Sequence, residues 1–470
     1  MSFVIKRFCE WVRARYIAAM LLMGLLTLWT GCGDVFRPVA NPIPGVNPDP
    51  KNFHFALVAS QNAPGNPGSG MQIDVSGDST VGIVNAGQQP VYGAVLANGS
   101  RGFIANNDGT VTAFSPAGFF GSIGSPTTIT MPQGLVPTFL QSTEAATMYA
   151  ATSTNGSGPC PNSAGGEAAV VAISAISDAV KNFACLGNNA SAAGLAPVLI
   201  AELPNGQKLY TVNGDGSVST INTINMSLGP LLFGGSTQAA GAASSVDGSQ
   251  LFVLDKANGA IVSINSFTDA IASTAANAAD LQGASFLLLD AHLNRLYAVN
   301  PASNKVAIYD ASTANASQGL PPRLIRTLTL PPAASNPVMA TALNNGTKVY
   351  VVSSQAGGSS ATAEVTVIRT LDNSISSVIS LPSVTPNANV INTCLNAGGV
   401  SGVRFPVSIT SASNAQRVYV ANCFAGSTTA IDTATDRIVV PLKSPVSAFP
   451  PAPGSQGPPP QSPVWVVAGP

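Results

Sequence analysis

Leu209-Tyr210-Thr211-Val212-Asn213, Leu296-Tyr297-Ala298-Val299-Asn300, Val349-Tyr350-Val351-Val352-Ser353 and Val418-Tyr419-Val420-Ala421-Asn422 are one line written four times. Each is a short apolar run closed by Asn or Ser, and looser copies begin at Phe55, Gly102, Met148 and Leu251. The eight starts lie 47, 46, 61, 42, 45, 53 and 69 residues apart. A repeat of this period decides the architecture before any other feature.

Before most copies stands a polar turn: Asn98-Gly99, Asn205-Gly206, Asp247-Gly248 and Asn345-Gly346. Such pairs tolerate positive φ and close tight hairpins. After each copy comes an alternating run, such as Gly109 to Phe114, Gly216 to Ile221 or Asn304 to Tyr309. A second polar turn (Asp432 to Asp436 in the last copy) and a fourth run, Ile438 to Leu442, complete the unit. Short period-2 runs bounded by turn residues are strands. Four strands in each unit of roughly 40–50 residues make an all-β fold, a β-propeller of four-stranded blades. A β-helix would need shorter coils, and separate sandwiches about twice this period.

Eight units are visible, but the first starts directly at the repeated strand and lacks an inner strand before it. The chain ends on Pro463-Val464-Trp465-Val466-Val467-Ala468, a lone apolar run behind the Pro-rich stretch 450–463. If that run fills the vacancy, a C-terminal strand closes a ring of eight blades.

The Tyr-Val-x-Asn strands, the Asp/Asn-Gly turn before them and the Thr-Val-Ser-x-Ile-like strand after them resemble the YVTN family of β-propeller repeats. The similarity covers about residues 53–447 and is closest at 198–225, 285–310 and 407–442. It implies a bladed propeller, usually of seven blades, in exported or cell-surface proteins, so seven is the alternative count. Relatives of that family include gluconolactonase-like enzymes and binding modules alike, so the resemblance implies fold more than activity.

Residues 1–31 read as an export signal: Lys6, Arg7, Arg13 and Arg15 precede an uncharged apolar run from Tyr16 to Leu28. Trp29-Thr30-Gly31-Cys32 resembles a bacterial lipobox, with Trp29 where Leu is usual, and implies lipidation at Cys32. Gly33 after the cysteine, in place of Asp, implies the outer membrane, facing the periplasm or the cell surface. Residues 32–52 carry Pro38, Pro42, Pro44, Pro48 and Pro50 and read as an extended tether. Residues 53–470 form the propeller.

Charge narrows the partners. The chain has 20 basic and 21 acidic residues in 470, and losing the signal leaves a net charge of −4. That excludes a basic nucleic-acid binder and capture by anionic head groups, so membrane attachment falls to acyl chains. Hydrophobic residues at 45% and low net charge exclude disorder, and a single apolar run excludes a polytopic membrane protein. The propeller is expected to be a monomer.

Cys9 leaves with the signal and Cys32 takes lipid, which leaves Cys160, Cys185, Cys394 and Cys423. An even number in an exported chain is a disulfide count. Three pairings are possible, and proximity favours Cys160–Cys185 and Cys394–Cys423. With strands A to D running outward from the channel, all four fall on the face of the B–C and D–A connections. The longest insertions, 153–168 and 383–402, lie there too, and long loops on a rigid scaffold are where binding sites sit.

Chemistry is sparse. The chain has 2 histidines; His54 flanks the first strand, and His292 fills an A–B turn slot facing away from the loop-rich surface. There is no Gly-x-Ser-x-Gly elbow, His-Glu-x-x-His helix or Cys-x-x-Cys pair. Asn213-Gly214-Asp215-Gly216 supplies one acid where a calcium loop needs several, and reads as a hairpin turn. The channel-lining strands, Val91 to Leu96, Val198 to Ala201, Ala239 to Ser245, Val338 to Leu343 and Val407 to Ser411, are small or apolar. Glu144, Glu202 and Asp290 are scattered acids near them. No catalytic residue, metal or cofactor is therefore assigned, and the resemblance carries none onto any position. The expected function is a non-enzymatic envelope scaffold that binds a protein or glycan through its long loops. The alternative is a divergent lactonase-like hydrolase working in the channel, which acid clustering at the channel mouth would favour.

Overall fold

The computed structural model describes residues 54–118, 122–143, 146–154, 159–160, 168–186, 197–233, 238–357, 360–382, 394, 407–451 and 457–469. The signal segment with Cys32, the Pro-rich 32–52, Glu144 and most of both long insertions lie outside them.

Eight four-stranded antiparallel sheets make up the domain. The innermost strands of successive sheets touch one another in order, and the last touches the first. That is a closed eight-bladed propeller. Helix among the described residues amounts to a four-residue turn at Ala278–Leu281, two 3-10 turns and the helical Cys394.

The repeated line is strand B of each blade. Lys208–Asn213, Arg295–Asn300 and Arg417–Asn422 are buried almost throughout. Neighbouring blades cover both faces of such a strand, which is why it reads as a nearly continuous apolar run. Strand D is the outer edge, and Arg437–Lys443 alternates exposed and half-buried. The expected A–B turns form as read: Gly99, Gly206, Gly248 and Gly346 all have φ between 66° and 70°. In blade 8, Ala415 takes the same conformation at φ 58°.

Blade 1 is built from both ends of the chain. Its inner strand is the C-terminal Ser462–Ala468, paired antiparallel with Phe55–Gln61, from Ala56 opposite Ala468 to Gln61 opposite Ser462. Val464, Trp465 and Val466 are buried there. Blade 8 holds the same strand from its other side, because Val466 N and Ala468 N donate to the hydroxyls of Ser408 and Thr410. An open ring would leave these backbone groups unpaired at two blade edges.

Candidate functional site

The face carrying the A–B and C–D turns is mostly short-looped, the exceptions being the C–D connections 115–126 in blade 2 and 311–322 in blade 6. Immediately before each quoted B strand stands a basic residue: Lys208, Arg295, Lys348 and Arg417. It reaches the C–D turn of the next blade, and in three of the four the tyrosine two positions on shares its acceptor. Tyr210 donates to Asp269 at 2.7 Å and Lys208 pairs with the same carboxylate. Tyr350 and Lys348 do so with Asp436. Tyr419 and Arg417 do so with Asp78, across the point where the ring closes. Arg295 donates to Asn373, and Arg101 pairs with Asp178 beside Phe103 in the tyrosine slot.

Each acceptor serves twice. Asp78, Asp178, Asp269, Asn373 and Asp436 have φ of 45–53°, the left-handed conformation that ends the turn. Asp and Asn adopt it more readily than other side-chain-bearing residues. Burial first, and the neighbouring aspartate second, push the Tyr210, Tyr350 and Tyr419 hydroxyls well above the usual tyrosine range. Burial, with Asp290 nearby, pushes Tyr297 up to about 12. At the tips of these turns Ile176, Ile224, Phe267 and Leu371 are exposed, singly, as surface residues commonly are.

The opposite face holds the B–C and D–A connections. The Asn that ends strand B folds the B–C turn: buried Asn213 donates to Ser217 and Ser219, and Asn106 to Thr110 and Thr112. Cys160 in the B–C connection of blade 3 is bonded to Cys185 at the end of strand D of that blade. Cys394, on the way from blade 7 to blade 8, is bonded to Cys423 in the B–C turn of blade 8. Both expected pairs form, and both lie on this face. Two disulfides fit an extracellular or periplasmic protein.

Between the faces runs the channel, and it contains a cavity of about 200 Å³. Every A strand starts at the disulfide-bearing face, and most of the lining residues come early in their strands: Val91 and Tyr92, Val198 and Leu199, Phe286 and Leu287. The cavity therefore lies toward that face. Its wall is mostly apolar, with Phe139, Met339 and Trp465 among the rest. Tyr92 stacks on Trp465 at 4.1 Å between ring centroids and meets Phe139 at 4.3 Å. The Thr138 hydroxyl in the wall lies 3.3 Å from each of two backbone carbonyls, those of Ala151 and Pro197. Among the described residues no charged side chain lines the cavity.

The titratable residues singled out in the sequence do not converge on it. Glu202 accepts from Thr143 N at 2.6 Å, and Asp290 accepts from His292 N and Leu293 N, both at the far ends of their A strands. His54 Nδ1 is 2.7 Å from Ser413 Oγ, and His292 packs against Gly346, so both sit on the tight-turn face. Asp215 accepts from Ser217 N and Oγ and forms the hairpin turn expected of it. Among the described residues no three His, Cys, Asp or Glu side chains are grouped to hold a metal ion. Sequence reasoning missed the interblade clamp and the aromatic cluster. The clamp had a signal: a Lys/Arg-x-Tyr in one unit matched by an Asp or Asn closing the C–D turn of the next.

No family model matches the chain, and no curated protein matches it. The resemblance to YVTN repeats thus rests on the strands quoted. Among solved structures the chain is similar to apo AztD from Citrobacter koseri, with a TM-score of 0.55 and 12% identity over 88% of this chain and 97% of that one. It is similar to the dihydro-heme d1 dehydrogenase NirN in complex with DHE, with a TM-score of 0.58 and 10% identity over 86% and 75%. A putative 6-phosphogluconolactonase from Bacteroides fragilis has a TM-score of 0.48 and 11% identity over 90% and 99%. Identities this low speak for fold alone.

Proposed function

We propose that this chain is a lipid-anchored envelope protein of non-catalytic type, whose propeller binds a protein or glycan through the disulfide-bearing face. One observation carries the reading. The described chain enters the propeller at His54, where strand B of blade 1 begins on the tight-turn face, while both disulfides lie on the opposite face. A tether running back to Cys32 would therefore pull on the clamped face and leave the other pointing away from the membrane. The uncharged channel wall favours binding over hydrolysis, which needs an acid/base pair at the reacting centre.

Two measurements test this. Cys32→Ala should move the protein out of the membrane fraction; unchanged fractionation and unchanged N-terminal mass overturn the anchor. A photo-crosslinking side chain at exposed Gln133, on the disulfide-bearing face, should give a discrete adduct in intact envelopes, and one at Phe267 should not. An adduct from Phe267 alone overturns the assignment of the face.

A further inference from the structure

We propose that the channel cavity is a binding site for a small uncharged aromatic molecule of one or two rings. The size comes first. An apolar cavity of about 150 Å³ stays dry and takes up benzene, and this one is about 200 Å³. Water is a poor occupant, because it needs two to four polar partners. The wall offers few: the Thr138 hydroxyl already has carbonyls in reach.

The space is made by the sequence. Strand A of blade 5 reads Ala239-Ala240-Gly241-Ala242-Ala243-Ser244, a run of residues poor at forming strands. Ala240 to Ala242 line the cavity, and a Cβ on Gly241 would come within 3.0 Å of Leu287 N. Larger side chains here would fill the hole. The walls on either side are aromatic: Tyr92 and Phe139 from blades 2 and 3, and Phe286 from blade 6 across the ring. Aromatic walls favour an aromatic occupant through offset or edge-on packing. An unpaired charge would be costly in such a wall, which restricts the ligand to uncharged species. Trp465, only 8% exposed and stacked on Tyr92, adds a further aromatic side chain to the wall.

The test uses the protein in detergent, with Trp11→Phe and Trp29→Phe wherever residues 1–31 are retained, so that Trp465 is the single tryptophan. The probe is 4-bromobenzyl alcohol, whose bromine quenches a tryptophan it approaches. The expected result is saturable quenching, at least tenfold weaker with 4-bromobenzoate, the charged analogue of the same shape. Ala242→Phe should abolish it while the melting temperature holds or rises. If that variant fails to fold, the expected rise in parental melting temperature with the alcohol, absent with the benzoate, serves instead. Linear quenching equal for both probes, no melting shift, or an unchanged response in a folded Ala242→Phe protein overturns the proposal. Displacement of the probe by decanol at much lower concentration also overturns it, because the occupant is then an alkyl chain.

Discussion

On one face of the propeller the connections are held by charge and by hydrogen bonds between blades; on the other they are held by two disulfides within and beside single blades. The clamps on the first face repeat around the ring at five junctions, each joining a B strand to the next C–D turn. They need short turns, because the acceptor must sit at one fixed left-handed position. The 12-residue C–D connections of blades 2 and 6 accordingly receive none of the five clamps, and the second face, free of the requirement, carries the longest connections and the cavity. A periodic clamp fixes the blades from one side and frees the other side to vary. Covalent ties then restrain individual long connections without dictating their sequence.

The largest effect should come from damage that reaches both faces together. Deleting 462–470 removes the inner strand of blade 1 and its pairing with Ala56 to Gln61. Each fully buried large side chain contributes about 1.5–3 kcal/mol, and Val464, Trp465 and Val466 go together. Expression trials should show loss of soluble protein or a collapse in melting temperature. A wild-type melting curve would mean that the ring closes without this strand.

Next comes the clamped face alone. Asp78→Ala removes the acceptor of both Arg417 Nε and Tyr419 OH, and leaves the buried Arg417 with Asp432 and the Gln416 carbonyl as partners. Removing one partner of a buried pair costs about 3–5 kcal/mol. Chemical denaturation should show that loss, and ligand or partner capture by the opposite face should be retained at temperatures where the variant is folded.

The disulfide face should respond more weakly and differently. Cys394→Ser with Cys423→Ser opens a loop whose ends are 29 residues apart. The chain-entropy relation gives about 3.5 kcal/mol at most. Here binding through that face should weaken more than stability does, whereas Asp78→Ala should show the reverse order. Equal patterns in the two variants would erase the distinction between the faces.

The smallest effect is a pH slope. Tyr297 is pushed up to about 12 by burial, with Asp290 adding to it. Between pH 10 and 12 the unfolded chain releases this proton and the folded chain keeps it, so stability falls as pH rises through that window. One proton is worth at most about 1.4 kcal/mol per pH unit. Tyr297→Phe should flatten the alkaline decline by up to that amount and leave stability at pH 7 nearly unchanged. The native Phe103 and Phe252 in the same slot show that the ring alone packs there.

Much of this was legible in the residues. The A strands named from sequence match the observed ones within one or two positions, as with Val338 to Leu343 against Pro337–Ala342. The cysteine pairs followed from proximity, and the fate of His292 from its turn slot. Asp78 and Arg417 were not legible as partners, because 339 residues separate them and only ring closure makes them neighbours. Tyr92 and Trp465 are a similar case: each reads as an ordinary strand residue, and their stacking depends on the C-terminal strand lying beside blade 2.

The sequence by itself determined the strands, the turns, the repeat, the vacancy in blade 1 and the run that fills it. Those features are written in local chemistry: period-2 alternation, residues tolerant of positive φ, and the need of an edge strand for a partner. Only the tertiary structure decided the order in which blades clasp one another and the cavity left at their centre. Both are sums over side chains from many blades, and a volume of that kind has no representation in any single stretch of chain.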